Sequence, residues 1–166
     1  MQKLLKNANF YLFLGLGIMA LLFYSSSQTY AEQSQIELLK TLFSRQPFHD
    51  FLSGISFNYG GEEQSIAAQG YYSFIEFFIR KGAHFMTYFL LGGSFCLALY
   101  CKQKNYWWAS FFAWLAATGY AGIDEFHQML TGGRTPLFQD VMLDSAGALT
   151  AVLLLGIFLL IQKRSF

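Results

Sequence analysis

The chain has 166 residues, of which 54% are hydrophobic and 13% charged, with a formal net charge of +1; a soluble globular chain is typically about 25% charged. Nineteen Phe and ten Tyr leave too little polar surface to cover the molecule in water, which excludes a soluble enzyme, a disordered chain or a fibrous repeat and indicates a small helical membrane protein. The balanced charge also argues against a nucleic-acid binder, which needs a clustered basic face to neutralise phosphates.

By length the chain forms one domain, residues 1–166. The first apolar run covers about residues 8–27, follows Lys3 and Lys6, and closes with Ser25-Ser26-Ser27-Gln28. It is long enough to cross about 30 Å of hydrocarbon as a helix. Its charged start and Ser25-x-Ser27 also fit the layout of a signal peptide, but the length of its core and the spans that follow favour a retained helix.

A long loop follows, about residues 29–80. Ile36, Leu38, Leu39, Leu42 and Phe43 mark one short amphipathic helix, and Phe48, Phe51, Leu52 and Ile55 a second, with Gly54, Gly60 and Gly61 as interruptions. Two placements suit them: in the membrane interface with the apolar face down, or packed as a lid or spacer, since the pattern by itself marks burial.

Three further spans are predicted at about residues 75–101, 106–128 and 139–161, the second entered through Phe74 to Ile79. The third carries Ala109, Ala113, Ala117 and Ala121, a small residue at every fourth position that permits close helix contact, and the fourth repeats the device with Gly147 and Ala151. Cys96 and Cys101 belong to an apolar run and build no disulfide framework. Lys3, Lys6, Lys102, Lys104, Lys163 and Arg164 flank the spans with no Asp or Glu among them, which places both termini and the short connection between spans two and three in the cytoplasm. Trp107 and Trp108 follow at headgroup level. The expected fold is all-α: a four-transmembrane-helix bundle, N-in and C-in, with a long extracytoplasmic loop between spans one and two.

The ionisable residues within the spans gather toward one membrane face. Lys81, His84 and Tyr88 are spaced by three and four on span two; Tyr120, Asp124 and Gln128 are spaced by four on span three, with Glu125 beside Asp124; Asp140 and Asp144 open span four. Thr131-Gly132-Gly133-Arg134-Thr135-Pro136 turns above them. A charge near hydrocarbon costs about 2.5–3.5 kcal/mol on insertion scales, so such a set must pair internally or line a wet cavity. Lys81 and the Asp124/Glu125 pair are expected to couple, because antiparallel neighbours with a short connection bring those ends to one level. His127, with no second histidine at ligand spacing, is expected to face lipid headgroups.

A zinc site is not indicated, for His84 is the single credible imidazole and no Cys-x-x-Cys occurs; the four carboxylates leave a hard divalent cation open as an alternative. General acid/base chemistry by His84 with Asp124 or Glu125 is admissible, a histidine beside carboxylates being tunable across neutral pH. Lys81 and Arg134 suit an anionic group, Tyr88 and Gln128 its orientation, and Asp140 and Asp144 complete the ligand-binding set. No cofactor and no metal is assigned.

On Tyr24-Ser25-Ser26-Ser27-Gln28, Arg80-Lys81-Gly82-Ala83-His84-Phe85, Tyr88, Asp124-Glu125-x-x-Gln128, Gly133-Arg134 and Asp140-x-x-x-Asp144-x-x-Gly147, the chain resembles the VanZ-like family of small bacterial membrane proteins. The family often has Asn at the position of Asp144. The resemblance covers all four spans and implies a protein of the bacterial cytoplasmic membrane associated with resistance to teicoplanin and related lipid-tailed glycopeptides; it supplies no reaction. The function expected is a polar pocket at the outer face that binds or modifies a cell-envelope component, with membrane lipids, a lipid-linked envelope precursor or a lipoglycopeptide as partners. The alternative is a structural or interaction protein whose polar cluster fixes helix registry.

Overall fold

The computed structural model describes residues 7–132 and 135–164. Asn7 opens α1 (Ala8–Ser26) by accepting the Phe10 amide on its side chain at 3.2 Å, which satisfies one of the donors that a helix start leaves unpaired. Tyr11, Gly15, Ile18, Leu22 and Ser26 bury one stripe of α1, while Phe13, Leu21, Phe23 and Tyr24 are exposed on its outer surface. A helix that is apolar outside as well as inside suits hydrocarbon rather than water.

The two helices expected in the long loop are present as α3 (Ile36–Leu42) and α4 (His49–Ser53), flanked by the single turns α2 (Tyr30–Gln33) and α5 (Ile66–Gln69). Thr29 and Glu32 close a reciprocal capping box at the start of α2. A β-hairpin stands in addition to the expected helices: β1 (Ser56–Tyr59) pairs antiparallel with β2 (Glu62–Ser65), Tyr59 opposite Glu62. Its cause is Gly60-Gly61, both at positive φ (63° and 87°), the backbone that two-residue hairpin turns require. In α3 only Leu39 is buried; Leu38, Leu42, Phe48 and Phe51 are exposed.

Helix α6 (Tyr71–Gln103) has 33 residues, about 50 Å at 1.5 Å per residue. It begins four residues before the predicted span and exceeds the hydrocarbon thickness by about 20 Å. Lys104, in the left-handed region at φ 56°, turns the chain into α7 (Tyr106–Gly132), and α8 (Phe138–Arg164) ends the described chain. Helices α1 and α6 and the Phe138–Gln162 part of α8 are long and apolar enough to cross a membrane. Helix α7, with Thr118, Gly119, Tyr120 and Gly122 in its middle, is less apolar and is not among them. The described residues are therefore all-α apart from one short hairpin, with the make-up of a multi-pass membrane protein.

Helices α6 and α7 form the central pair, and α1 and α8 each lie against both. Ala109, Ala113, Ala117 and Ala121 are all buried, as their spacing predicts. The tightest approach is α6 on α8: a Cβ added at Gly92 would stand 2.8 Å from the Cα of Ala148, and one at Gly147 would collide with the Phe85 carbonyl. These backbone contacts fix the relative height of the first turns of α8 against residues 80–88 of α6.

Candidate functional site

At the end of the bundle where α6 and α8 begin and α7 finishes, the helices enclose a polar cavity of about 400 Å³. Six of the nine candidate site residues stand on its wall: Lys81, His84, Glu125, Gln128, Asp140 and Asp144. Tyr88 and Asp124 lie behind the wall, both buried. Arg134 falls outside the described residues.

Within the cavity the charged groups are largely matched in pairs. Lys81 Nζ donates to Asp140 Oδ1 at 2.5 Å, and the same oxygen accepts from the Tyr59 hydroxyl at 2.6 Å. Lys81 also stands over the Tyr59 and Phe77 rings, 4.9 and 5.6 Å from their centroids. His84 Nδ1 faces Asp144 Oδ2 at 3.5 Å. Glu125 accepts the Leu137 amide at 2.7 Å, which ties the end of α7 to the segment before α8. The direct ion pair of Lys81 is made with α8 rather than α7, because the close α6–α8 packing sets Asp140 at its level; of the expected Asp124/Glu125 pair, Glu125 still feels the Lys81 charge without a salt bridge to it.

Behind the wall, Asp124 Oδ2 accepts from Gln128 at 3.1 Å. Asp124 Oδ1, Asp144 Oδ1 and the Tyr88 hydroxyl are buried with no hydrogen-bond partner among the described residues. Such atoms are costly unless something else meets them. No three His, Cys, Asp or Glu side chains among the described residues gather closely enough to hold a metal ion. The four carboxylates instead turn to different partners.

The hairpin roofs the cavity. Phe57 and Tyr59 pack on Phe77 at 5.9 and 5.2 Å between ring centroids, and Gly60 sits so close to Leu137 that a Cβ there would be 2.7 Å from its Cδ1. Tyr59 is held well above the usual tyrosine range by burial first and by its bond to Asp140 second, so it remains a donor. Glu62, Gln64 and Gln69 complete the roof. The hairpin, not the two amphipathic helices, covers the cavity; those helices leave Leu38, Leu42, Phe48 and Phe51 exposed. The hairpin was missed because period-2 alternation over four residues is a faint signal; the one strong cue was the Gly60-Gly61 pair.

Two carboxylates, Glu62 in the roof and Glu76 on α6, lie outside the predicted set. Glu76 is 4% exposed, yet it accepts from Tyr30 (2.8 Å), Ser34 (3.0 Å) and the Gln35 amide (2.5 Å), anchoring the start of the loop to α6. Arg80, one turn along and on the cavity wall, makes no salt bridge among the described residues; its guanidinium lies 4.9 Å from the centre of the Tyr30 ring. Spacing alone would pair Glu76 with Arg80, whereas Tyr30 divides them. His127 is also corrected: rather than facing headgroups, it meets Ser26 Oγ at 2.7 Å and stacks on Phe23 at 4.4 Å, joining α7 to α1.

The arrangement can hold a polar ligand between cations and carboxylates, and it can exchange a proton through His84, whose ring reaches the cavity on one side and Asp144 on the other. No curated protein and no solved structure matches the chain. The VanZ/LLP1 family model matches residues 10–159, and the chain belongs to that family.

Proposed function

We propose that this cavity binds the polar headgroup of a lipid-linked cell-envelope component at the outer face of the bacterial cytoplasmic membrane. The observation that carries the reading is the cavity itself: about 400 Å³, walled by both signs of charge from three long helices, and covered by a hairpin. That volume lies in the range of small-ligand sites. In this reading α7 is the fourth span, shielded from lipid along its alanine stripe, the termini are cytoplasmic, and the whole chain is one membrane domain. Counting about 20 residues of hydrocarbon back from Lys102 sets the boundary near residue 82, so that Arg80 and Lys81 stand at headgroup depth and His84 just beneath it.

His84 and Glu125, both on the wall, are the groups that would exchange protons with a bound headgroup, with Asp124 acting from behind. Lys81, Gln128, Asp140 and Asp144 shape and orient, Tyr88 supports them from beneath, and Arg134 belongs to the same set. The association with teicoplanin-type resistance implied by the sequence is part of this proposal, since a lipid-tailed drug works at the same leaflet.

A registry role is the second reading, favoured by the fact that Lys81–Asp140 and His84–Asp144 both join α6 to α8. Photo-crosslinking separates the two. A lipid with a diazirine in its headgroup, reconstituted with the full chain, should label peptides around residues 59–64 and 137–144. Labelling confined to outward residues such as Phe112 and Leu153 would sink the headgroup reading and leave registry.

A further inference from the structure

Among the described residues the cavity walls carry two cations, Arg80 and Lys81, and four carboxylates, Glu62, Glu125, Asp140 and Asp144. Lys81 is satisfied by Asp140, and Asp144 faces His84. Among the described residues Arg80 has no acid partner, and neither Glu125, which gives one oxygen to the Leu137 amide, nor Glu62 makes a salt bridge. An occupant that matches these groups must offer an anion to Arg80 and a cation to the two glutamates.

The kind of cation follows from the aromatic rings. Tyr30, Tyr59 and Phe77 line the cavity and could form a cage for a quaternary ammonium, the group that ring faces attract most usefully. Those faces are already taken, Tyr30 by Arg80 and the other two by Lys81, at 4.9 to 5.6 Å. What remains for a ligand cation is carboxylate oxygen, which rewards N–H donors through charge-assisted hydrogen bonds. We infer that the headgroup taken by this cavity bears a phosphate and a primary amine together, the chemistry of phosphoethanolamine, with Arg80 on the phosphate and Glu125 and Glu62 on the amine. The inference rests on the headgroup reading above and goes further by fixing the ligand's charges.

The test uses the purified full chain in detergent micelles, titrated with dihexanoyl phosphatidylethanolamine, phosphatidylcholine and phosphatidylglycerol, with bound lipid read by native mass spectrometry. The ethanolamine lipid should bind about tenfold more tightly than either of the others, the size of one lost charge-assisted hydrogen-bond set. Arg80→Gln should weaken it about tenfold, and Glu125→Gln should erase its advantage over the glycerol lipid while keeping the oxygen that holds Leu137. Where Glu125→Gln proves unstable, Glu62→Gln at the exposed rim should narrow the same advantage. Free phosphoethanolamine competing at equal concentration would assign the source to a soluble molecule; competition only in large excess would assign it to lipid, and both outcomes support the amine-plus-phosphate chemistry. Equal or tighter binding of the choline or glycerol lipid overturns the inference and leaves the headgroup reading standing. Binding of none of the three overturns both.

Discussion

Lys81 and Asp140 meet at 2.5 Å across α6 and α8, with Tyr59 from the loop closing on the same carboxylate oxygen. Three segments distant in sequence converge on one atom. Each side chain of the ion pair is about one fifth exposed (17% and 20%), so part of their attraction is screened and a fully buried pair is the wrong reference. Lys81→Met or Asp140→Asn should each lower stability by about 1–2 kcal/mol, with an interaction energy above about 0.5 kcal/mol in the double mutant. Lys81→Met combined with Asp124→Asn should be additive. Thermal unfolding in detergent decides; coupling to Asp124 alone would mean that α8 is misplaced relative to α6.

Tyr59→Phe keeps the ring on Phe77 and removes only the bond to Asp140. The expected loss is about 1 kcal/mol, felt locally. Amide hydrogen exchange should quicken over residues 56–65 and stay unchanged in α6 and α8. Uniformly faster exchange would show that the hairpin is part of the bundle's cooperative core rather than a lid upon it.

At Gly147 the obstacle is backbone, the Phe85 carbonyl, which cannot swing aside as a side chain can. Gly147→Ala should therefore destabilise by about 1–3 kcal/mol, as overpacking does. Gly17 offers the contrast: nothing stands within 4 Å of an added Cβ, and Gly17→Ala should be neutral or gain about 0.5–1 kcal/mol from helix propensity. Comparable losses at both positions would contradict the close α6–α8 approach.

Orientation can be read by labelling. Asn58 is exposed in the hairpin and Gln103 at the opposite end of α6. In intact cells, Asn58→Cys should react with an impermeant maleimide and Gln103→Cys should not, in a background where Cys96 and Cys101 are replaced by Ala. The reverse pattern would turn the protein over and place the cavity in the cytoplasm.

Much of this architecture is legible in the sequence. Apolar runs and the alanine spacing of α7 report helices and their contact faces because burial along a helix repeats with its turn. His84, Asp140 and Asp144 could be assigned to one end of the bundle because three helices of known direction share it. Partners could not be assigned, since pairing Lys81 with Asp140 rather than Asp124 depends on the height of α8 against α6, set by Gly92, Ala148 and Gly147 packing on backbone. Glu76 escaped notice for a related reason: its donors, Tyr30, Ser34 and Gln35, lie across the whole loop, and nothing local to residue 76 announces them.

The contacts of Glu76 also impose an order on assembly. Tyr30, Ser34 and Gln35 are synthesised 46, 42 and 41 positions ahead of the carboxylate that receives them, and contacts over such separations close late because the intervening chain must first be confined. The second turn of α6 therefore anchors the start of the loop: until it is wound, residues 30–35 lack the carboxylate that holds them. Winding of this turn and docking of the loop's start are thus coupled, and a chain whose α6 stalls before residue 76 would leave Tyr30, Ser34 and Gln35 undocked.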